Sequence, residues 1–93
     1  MNQLEILRES LGQCDEIILD ALLMRNRIVE DIMAYKEAND IPILQPEQEA
    51  KQKEWLERRM ADRRHKAEVE DVFGSITQNS KRIQARKLFN YNI

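Results

Sequence analysis

One cation interrupts an apolar stripe in the first half of the chain, and a second cation lies further along the same helical face. Leu4, Leu11 and Ile18 are seven residues apart and predict a buried seam, and the next position of that seam is Arg25. Lys36 follows eleven residues later, which on an α-helix places it within about 20° of Arg25 and about 16 Å further along the same face. A buried guanidinium costs several kcal/mol unless it is paired, so Arg25 needs an acidic neighbour, an anionic ligand or a path to solvent.

A second polar interruption lies near the end of the chain. Ser80 and Gln84 stand four residues apart, on one helical face, within an apolar stripe that includes Ile76, Ile83 and Leu88. Polar groups on two helices can then converge on one pocket. Such a pocket offers cations and neutral hydrogen-bond donors without a nucleophile and base, a carboxylate pair or a glycine-rich phosphate loop. It suits the binding of a small carboxylated molecule by shape and charge.

The elements that must position these residues are helical. Apolar residues from Leu4 to Tyr35 follow a 3-4 spacing that predicts one long helix over about residues 3–38. Prolines 42 and 46 and the Asn39-Asp40 pair predict the loop that ends it. The seam of this helix is formed by Leu4, Leu7, Leu11, Cys14, Ile18, Ala21, Ile28, Ile32 and Tyr35.

Two further helices are predicted after the loop. The second starts at Pro46, which suits the first helical position, and runs to about Asp62 with sparse apolar positions at Ala50, Trp55, Leu56 and Met60. The third carries Val69, Val72, Phe73, Ile76, Ile83 and Leu88 on one stripe. Their boundary falls within residues 61–66, where no Gly or Pro marks it. Trp55 is expected to anchor the second helix by packing, and Cys14 to lie in the core.

Composition limits the class of protein. Ninety-three residues predict a single domain over residues 1–93, and so short a chain buries only roughly 60–65% of its unfolded surface, so a partner subunit would help. Two Gly, two Pro and many strong helix formers predict an all-α fold. A net charge of −2 gives no general field for nucleic acid or an anionic membrane, and the basic runs near residues 58–66 and 81–87 are interpreted as solvated helical faces.

The lengths of the apolar runs and the numbers of Cys and His residues indicate where the protein is located and whether it binds a cofactor. No apolar run is long enough for a signal peptide or a membrane span, so a cytoplasmic protein is expected. Cys14 is the single Cys and His65 the single His, which predicts no internal disulfide and no metal site of the usual three or four ligands. We therefore expect neither a metal nor a cofactor.

Arg8 is out of reach of the predicted pocket within one chain. It precedes Arg25 by seventeen residues, which is about 25 Å along a helix with a rotation of about 100°. Two long helices paired antiparallel about a two-fold axis would bring Arg8 of one subunit beside Arg25 of the other. This arrangement predicts an intertwined homodimeric helical bundle with two equivalent sites.

The segment LRESLGQCDEIILDALLMRNRIVEDIMAYKEANDIPIL resembles the first helix and loop of AroQ-type chorismate mutases. Those proteins share a pattern L-R-x-x-I/L-x-x-x-D-x-x-I/L-x-x-L-L-x-x-R, followed by a Lys before an x-P-V/I loop. The C-terminal SKRIQ resembles the family's S-x-x-x-Q signature, and the resemblance covers about residues 4–88. Ala21 stands where the family usually has the first Leu of its pair. The matching positions are Arg8, Asp15, Leu22, Arg25, Lys36, Pro42, Ile43, Ser80 and Gln84.

The resemblance implies a reaction and two catalytic residues. The family performs the Claisen rearrangement of chorismate to prephenate in aromatic amino-acid biosynthesis (the shikimate pathway), as a cofactor-free isomerase. Lys36 is then expected to contact a carboxylate and the ether oxygen, and Gln84 to donate to the same ether oxygen. Restraint of the reactive conformer and stabilisation of charge developing on that oxygen would supply catalysis.

The resemblance also implies the remaining substrate contacts. Arg25, with Arg8 of a second subunit, is expected to hold the two carboxylates of chorismate, and Ser80 to assist at a carboxylate. Glu49 is expected to accept a hydrogen bond from the ring hydroxyl, supported by the backbone of Gln45.

One departure from the family pattern keeps other functions open. Many members have D-x-x-R-E where this chain has Gln45-Pro46-Glu47-Gln48-Glu49, so Gln48 replaces a cation expected at the border of the site. Relatives on the same scaffold eliminate pyruvate from isochorismate or rearrange amino-deoxychorismate, and Gln48 is compatible with such a change. The non-enzyme alternative is a helical dimerisation or regulatory module without turnover.

Overall fold

The computed structural model describes the backbone of residues 1–91 and the side chains of residues 1–86. It contains three helices, α1 (Gln3–Ala38), α2 (Pro46–Met60) and α3 (Lys66–Tyr91), and no strand within the described residues. The predicted all-α fold with one long N-terminal helix is confirmed. Leu88, predicted on the apolar stripe of α3, lies outside the described side chains.

Local hydrogen bonds define the ends of α1. The side chain of Asn2 accepts a hydrogen bond from the backbone N–H of Glu5 at 2.8 Å, which satisfies one of the free donors of the first turn. At the other end, the N–H of Asn39 donates to the carbonyls of Tyr35 and Lys36, and Asp40 takes a left-handed φ of 54°. The chain then turns through the loop, and α2 begins at Pro46 as predicted.

The junction between α2 and α3 lies within the predicted range, but α2 is shorter than predicted. It ends at Met60, two residues before Asp62. Asp62 and His65 have φ values of 58° and 61°, in the left-handed region that interrupts a helix. Asp and His enter this region more readily than most residues, which is how the junction forms without Gly.

The C-terminal half of α1 packs against α3, and the buried stripe differs from the predicted one. The buried residues of α1 are Val29, Met33 and Lys36. The predicted seam is wrong within the single chain, because all nine of its positions are exposed. The buried residues Val29 and Met33 lie about 100–160° around the helix from the predicted positions Ile28 and Tyr35, because a 3-4 spacing drifts around an α-helix along its length.

Helix α2 lies over the core through a few side chains. Leu56 is buried, and the Trp55 ring meets Phe73 edge-on, with ring centroids 5.9 Å apart and an interplanar angle of 75°. Trp55 therefore packs against α3 as predicted, although 44% of its surface stays exposed. Val72 of α3 is exposed, which corrects its place on the predicted buried stripe.

The first half of α1 extends beyond the rest of the chain. Thirty-six residues of helix span about 54 Å, and the chain measures 56 × 31 × 15 Å. Its radius of gyration is 17.1 Å, whereas a compact domain of this length has about 12 Å. Leu7, Leu11 and Ile18 are all exposed here, and so is Cys14, whose predicted core position is wrong within the single chain. No helix in the described part of the chain is long and apolar enough to cross a membrane.

Candidate active site

A cavity of about 530 Å³ lies among the three helices and the loop between α1 and α2. Its volume is in the range of sites for small molecules. Four lining residues of α3 follow the spacing i, i+3, i+4, i+7 of one helical face. The full lining is Arg25, Val29, Ile32, Lys36, Ile43, Gln45, Gln48, Glu49, Gln52, Thr77, Ser80, Lys81 and Gln84.

Lys36 is the most constrained cation of the cavity. Its side chain is buried, and its Nζ donates to the carbonyl oxygen of Ile43 at 2.9 Å and to Oε1 of Gln84 at 2.9 Å. An ammonium has three N–H groups. These two bonds therefore hold Lys36 in place and leave one N–H for another acceptor.

Gln84 is held by the same contact. It is buried, and because its Oε1 accepts from Lys36, its amide nitrogen supplies the donors on the opposite side. Nε2 donates to the carbonyl oxygen of Ser80 at 3.4 Å, a long bond that occupies one N–H. The second N–H remains available as a fixed neutral donor beside the ammonium.

Arg25 completes this end of the cavity from α1. It is half-buried, its Nη1 donates to Oγ of Ser80, and that hydroxyl donates to the carbonyl oxygen of Ile76 at 3.0 Å. Among the described side chains, no carboxylate lies within 4 Å of Arg25 or Lys36. The salt-bridged alternative for Arg25 is thus not what the fold provides, and the cavity holds two cations whose countercharge an anionic ligand would supply.

The opposite wall of the cavity is formed by α2 and by polar residues of α3. Gln45 and Gln48 are exposed at its border, whereas Glu49 forms an ion pair with Lys81, with 2.7 Å between Oε1 and Nζ. The hydroxyl of Thr77 donates to Oε1 of Gln52 at 3.1 Å. Sequence reasoning did not select Gln52, Thr77 or Lys81. Thr77 and Lys81 are four residues apart and stand three residues before Ser80 and Gln84, respectively, and this helical spacing was the signal that could have found them.

The cavity brings together seven of the eight residues that the sequence selected. These are Arg25, Lys36, Gln45, Gln48, Glu49, Ser80 and Gln84. Arg8 is exposed on α1 and lies outside the cavity, seventeen residues along the helix from Arg25. A single chain therefore presents the cavity without Arg8.

Two further observations concern possible metal ligands and an ion pair outside the cavity. Within the described residues, no group of three His, Cys, Asp or Glu side chains is arranged to hold a metal ion. On the surface of α3, Glu70 accepts a hydrogen bond from Lys66, which raises the pKa of Lys66. Lys66 does not line the cavity and provides a reference for an ordinary ion pair on this helix.

The chain matches the model of a known family. The family model described as chorismate mutase type II matches residues 7–85. The matched range takes in all of α2, most of α1 and α3, and every residue that lines the cavity. Neither a curated protein nor a solved structure matches the chain.

Proposed function

Because the chain belongs to the chorismate mutase type II family, we propose that it converts chorismate to prephenate without a cofactor. The observation that carries this proposal is the buried pair of Lys36 and Gln84, which lines a cavity that holds a second cation and has one further ammonium N–H and one further amide N–H to donate. Donors of this kind stabilise an oxygen that gains negative charge.

Binding of the substrate follows from the charges of the cavity. Chorismate carries two carboxylates, and Arg25 and Lys36 lack carboxylate partners among the described side chains. The substrate would supply the missing countercharge, and the Arg25 guanidinium presents a planar fork that matches a carboxylate. Ser80, already hydrogen-bonded to Arg25, adds a hydroxyl at the same end.

The chemical step requires only restraint and charge stabilisation. In the rearrangement one C–O bond breaks while one C–C bond forms within the same molecule, so neither a nucleophile nor an external proton is consumed. The ether oxygen gains negative charge as its bond to carbon lengthens. Lys36 and Gln84 would donate to that oxygen, and loss of one such donor typically costs about 10²–10³ in kcat.

We propose that the active protein is an intertwined homodimer in which Arg8 of each subunit enters the cavity of the other. The support is the uncovered apolar face of α1 and the size of the exposed surface. The chain exposes 8081 Å², whereas a compact monomer of 11.1 kDa exposes about 5,700 Å². A second α1 packed along this face would bury it and carry Arg8 toward the cavity.

A single assay tests the proposed reaction against its alternatives. Purified protein is incubated separately with chorismate, isochorismate and amino-deoxychorismate, and substrate loss and products are measured. Formation of prephenate from chorismate supports the proposal. Release of pyruvate from isochorismate alone would indicate an isochorismate pyruvate lyase instead, and turnover of amino-deoxychorismate alone would indicate an amino-deoxychorismate mutase. The neutral Gln48 at the cavity border is the feature compatible with these two alternatives. Absence of turnover of all three would indicate a non-catalytic helical module.

A further inference from the structure

Lys81 brings a third cation to the cavity from α3. Its Nζ lies 2.7 Å from Oε1 of Glu49, and the two side chains are 30% and 43% exposed. Lys81 shares the cavity-facing side of α3 with Ser80 and Gln84. The pair thus links α3 to α2 directly at the wall of the site, close to the border position occupied by Gln48.

The ion pair changes the electrostatics of Glu49. A free carboxylate at the wall would be a negative charge that attracts any cationic group of a ligand. With Lys81 at Oε1, the wall is close to neutral, and Oε2 of Glu49 still has lone pairs to accept a hydrogen bond. A neutral hydroxyl can donate to this oxygen without disturbing the pair. A protonated amine at the same place would meet the Lys81 ammonium as a like charge at short range.

We propose that Lys81 is a positioning residue that holds Glu49 as a neutralised acceptor and thereby makes the site select a substrate with a ring hydroxyl over one with a protonated ring amine. The proposal rests on the proposed function and on the expectation, taken from the family resemblance, that Glu49 accepts a hydrogen bond from the ring hydroxyl of chorismate. Lys81 supplies in this chain a positive charge that position 48 does not. Its role is specificity rather than bond rearrangement, since Lys36 and Gln84 are the proposed donors to the ether oxygen.

The test compares two substrates that differ at this ring position. The kcat/KM values for chorismate and amino-deoxychorismate are measured at a pH at which the amine is protonated. Lys81→Gln should lower the preference for chorismate by about tenfold, which corresponds to about 1.4 kcal/mol. Lys81→Arg retains the charge and should keep the wild-type preference. A matched control is Lys66→Gln, which removes the same charge from an ion pair on α3 outside the cavity and should leave the preference unchanged.

Lys81→Gln is expected to fold, since a partly exposed ion pair contributes at most about 1 kcal/mol, and Lys81→Met serves as a second neutral variant. An unchanged preference in the neutral variants, with helicity and dimer state intact, would overturn the inference and leave the mutase function standing. A wild-type protein that consumes neither compound would overturn the proposed function instead. In that case the Kd values of the two compounds are measured for wild type and Lys81→Gln. A lower preference for chorismate in the variant would support the inference, and an unchanged preference would overturn it.

Discussion

Mixing two inactive variants tests whether each site draws on two chains. Arg8 and Arg25 lie on one continuous helix, seventeen residues or about 25 Å apart, so a single chain does not bring both to one cavity. Arg8→Ala and Arg25→Ala homodimers should each be nearly inactive, because every site in them lacks one of the two cations that are proposed to hold the substrate carboxylates. Both positions are at least partly exposed, so neither variant should lose its helical fold.

The two-fold geometry fixes the recovery expected after mixing. In a heterodimer of the two variants, one site carries both substitutions and the other carries neither. Equal amounts that pair at random give heterodimers as half of all dimers, and half of the sites in these are intact. Co-refolding should therefore restore about a quarter of the wild-type activity per site, measured as chorismate loss at saturating substrate.

A second mixture provides the control. Arg25→Ala and Lys36→Ala affect the same cavity of their own chain, so every site of their heterodimer lacks one residue or the other and no activity should return. Subunit exchange is verified by native mass spectrometry of the mixed dimers. Recovery in the control mixture, or none in the Arg8→Ala mixture despite complete exchange, would refute the intertwined arrangement.

Four other outcomes follow from the same geometry. Lys36→Ala should lower kcat at least about 10²-fold with unchanged circular dichroism, since it removes a proposed donor to the ether oxygen; unchanged kcat would contradict the site assignment. Exhaustive chelation should leave turnover unaltered, because the single Cys and single His predict no metal site, and loss of activity restored by a metal would disprove this. Gln48→Arg should lower KM for chorismate by adding a positive charge to the wall, and an unaltered KM would place Gln48 outside the binding site. Leu11→Glu should dissociate the dimer in size-exclusion chromatography, whereas Gln13→Glu, on the polar side of α1, should not.

The helices were predictable where local chemistry marks their ends. Pro46 at the start of α2 and the Asn39-Asp40 pair after α1 act through their own backbone preferences, so the sequence alone locates both. The end of α2 was predicted two residues too late. It depends on the left-handed backbone of Asp62, which is a property of the three-dimensional junction and leaves no Gly or Pro in the sequence.

The buried stripe of α1 was harder to identify than its helical form. Hydrophobic periodicity gives weight to apolar side chains, but the face that meets α3 contains Arg25 and Lys36 beside Val29 and Met33. Those polar residues lower the apolar signal on the face that one chain buries. The 3-4 spacing continued instead through neighbouring apolar positions, which the single chain leaves exposed.

The individual residues of the candidate site were predictable, but the contacts between their side chains were not. Arg25, Ser80 and Gln84 attracted notice because a polar residue on an apolar stripe is unusual. Lys81 was not selected, since a lysine on a charged helix usually lies in solvent. Its ion pair with Glu49 joins positions 32 residues apart. A contact of that separation depends on how α2 crosses α3, which no local pattern specifies.

The exposed half of α1 connects folding to the proposed chemistry. A helix gains most of its stability from packing of its apolar face, and about twenty residues at the start of α1 have no such packing in the single chain. The partner that would cover Leu11 and Ile18 is also the partner that would deliver Arg8. A monomer would thus lose the cover of its longest helix and a ligand for its substrate at once. Dimer assembly, helix stability and a complete site would then depend on one interface. Activity per subunit and thermal stability should therefore both decrease when the protein is diluted.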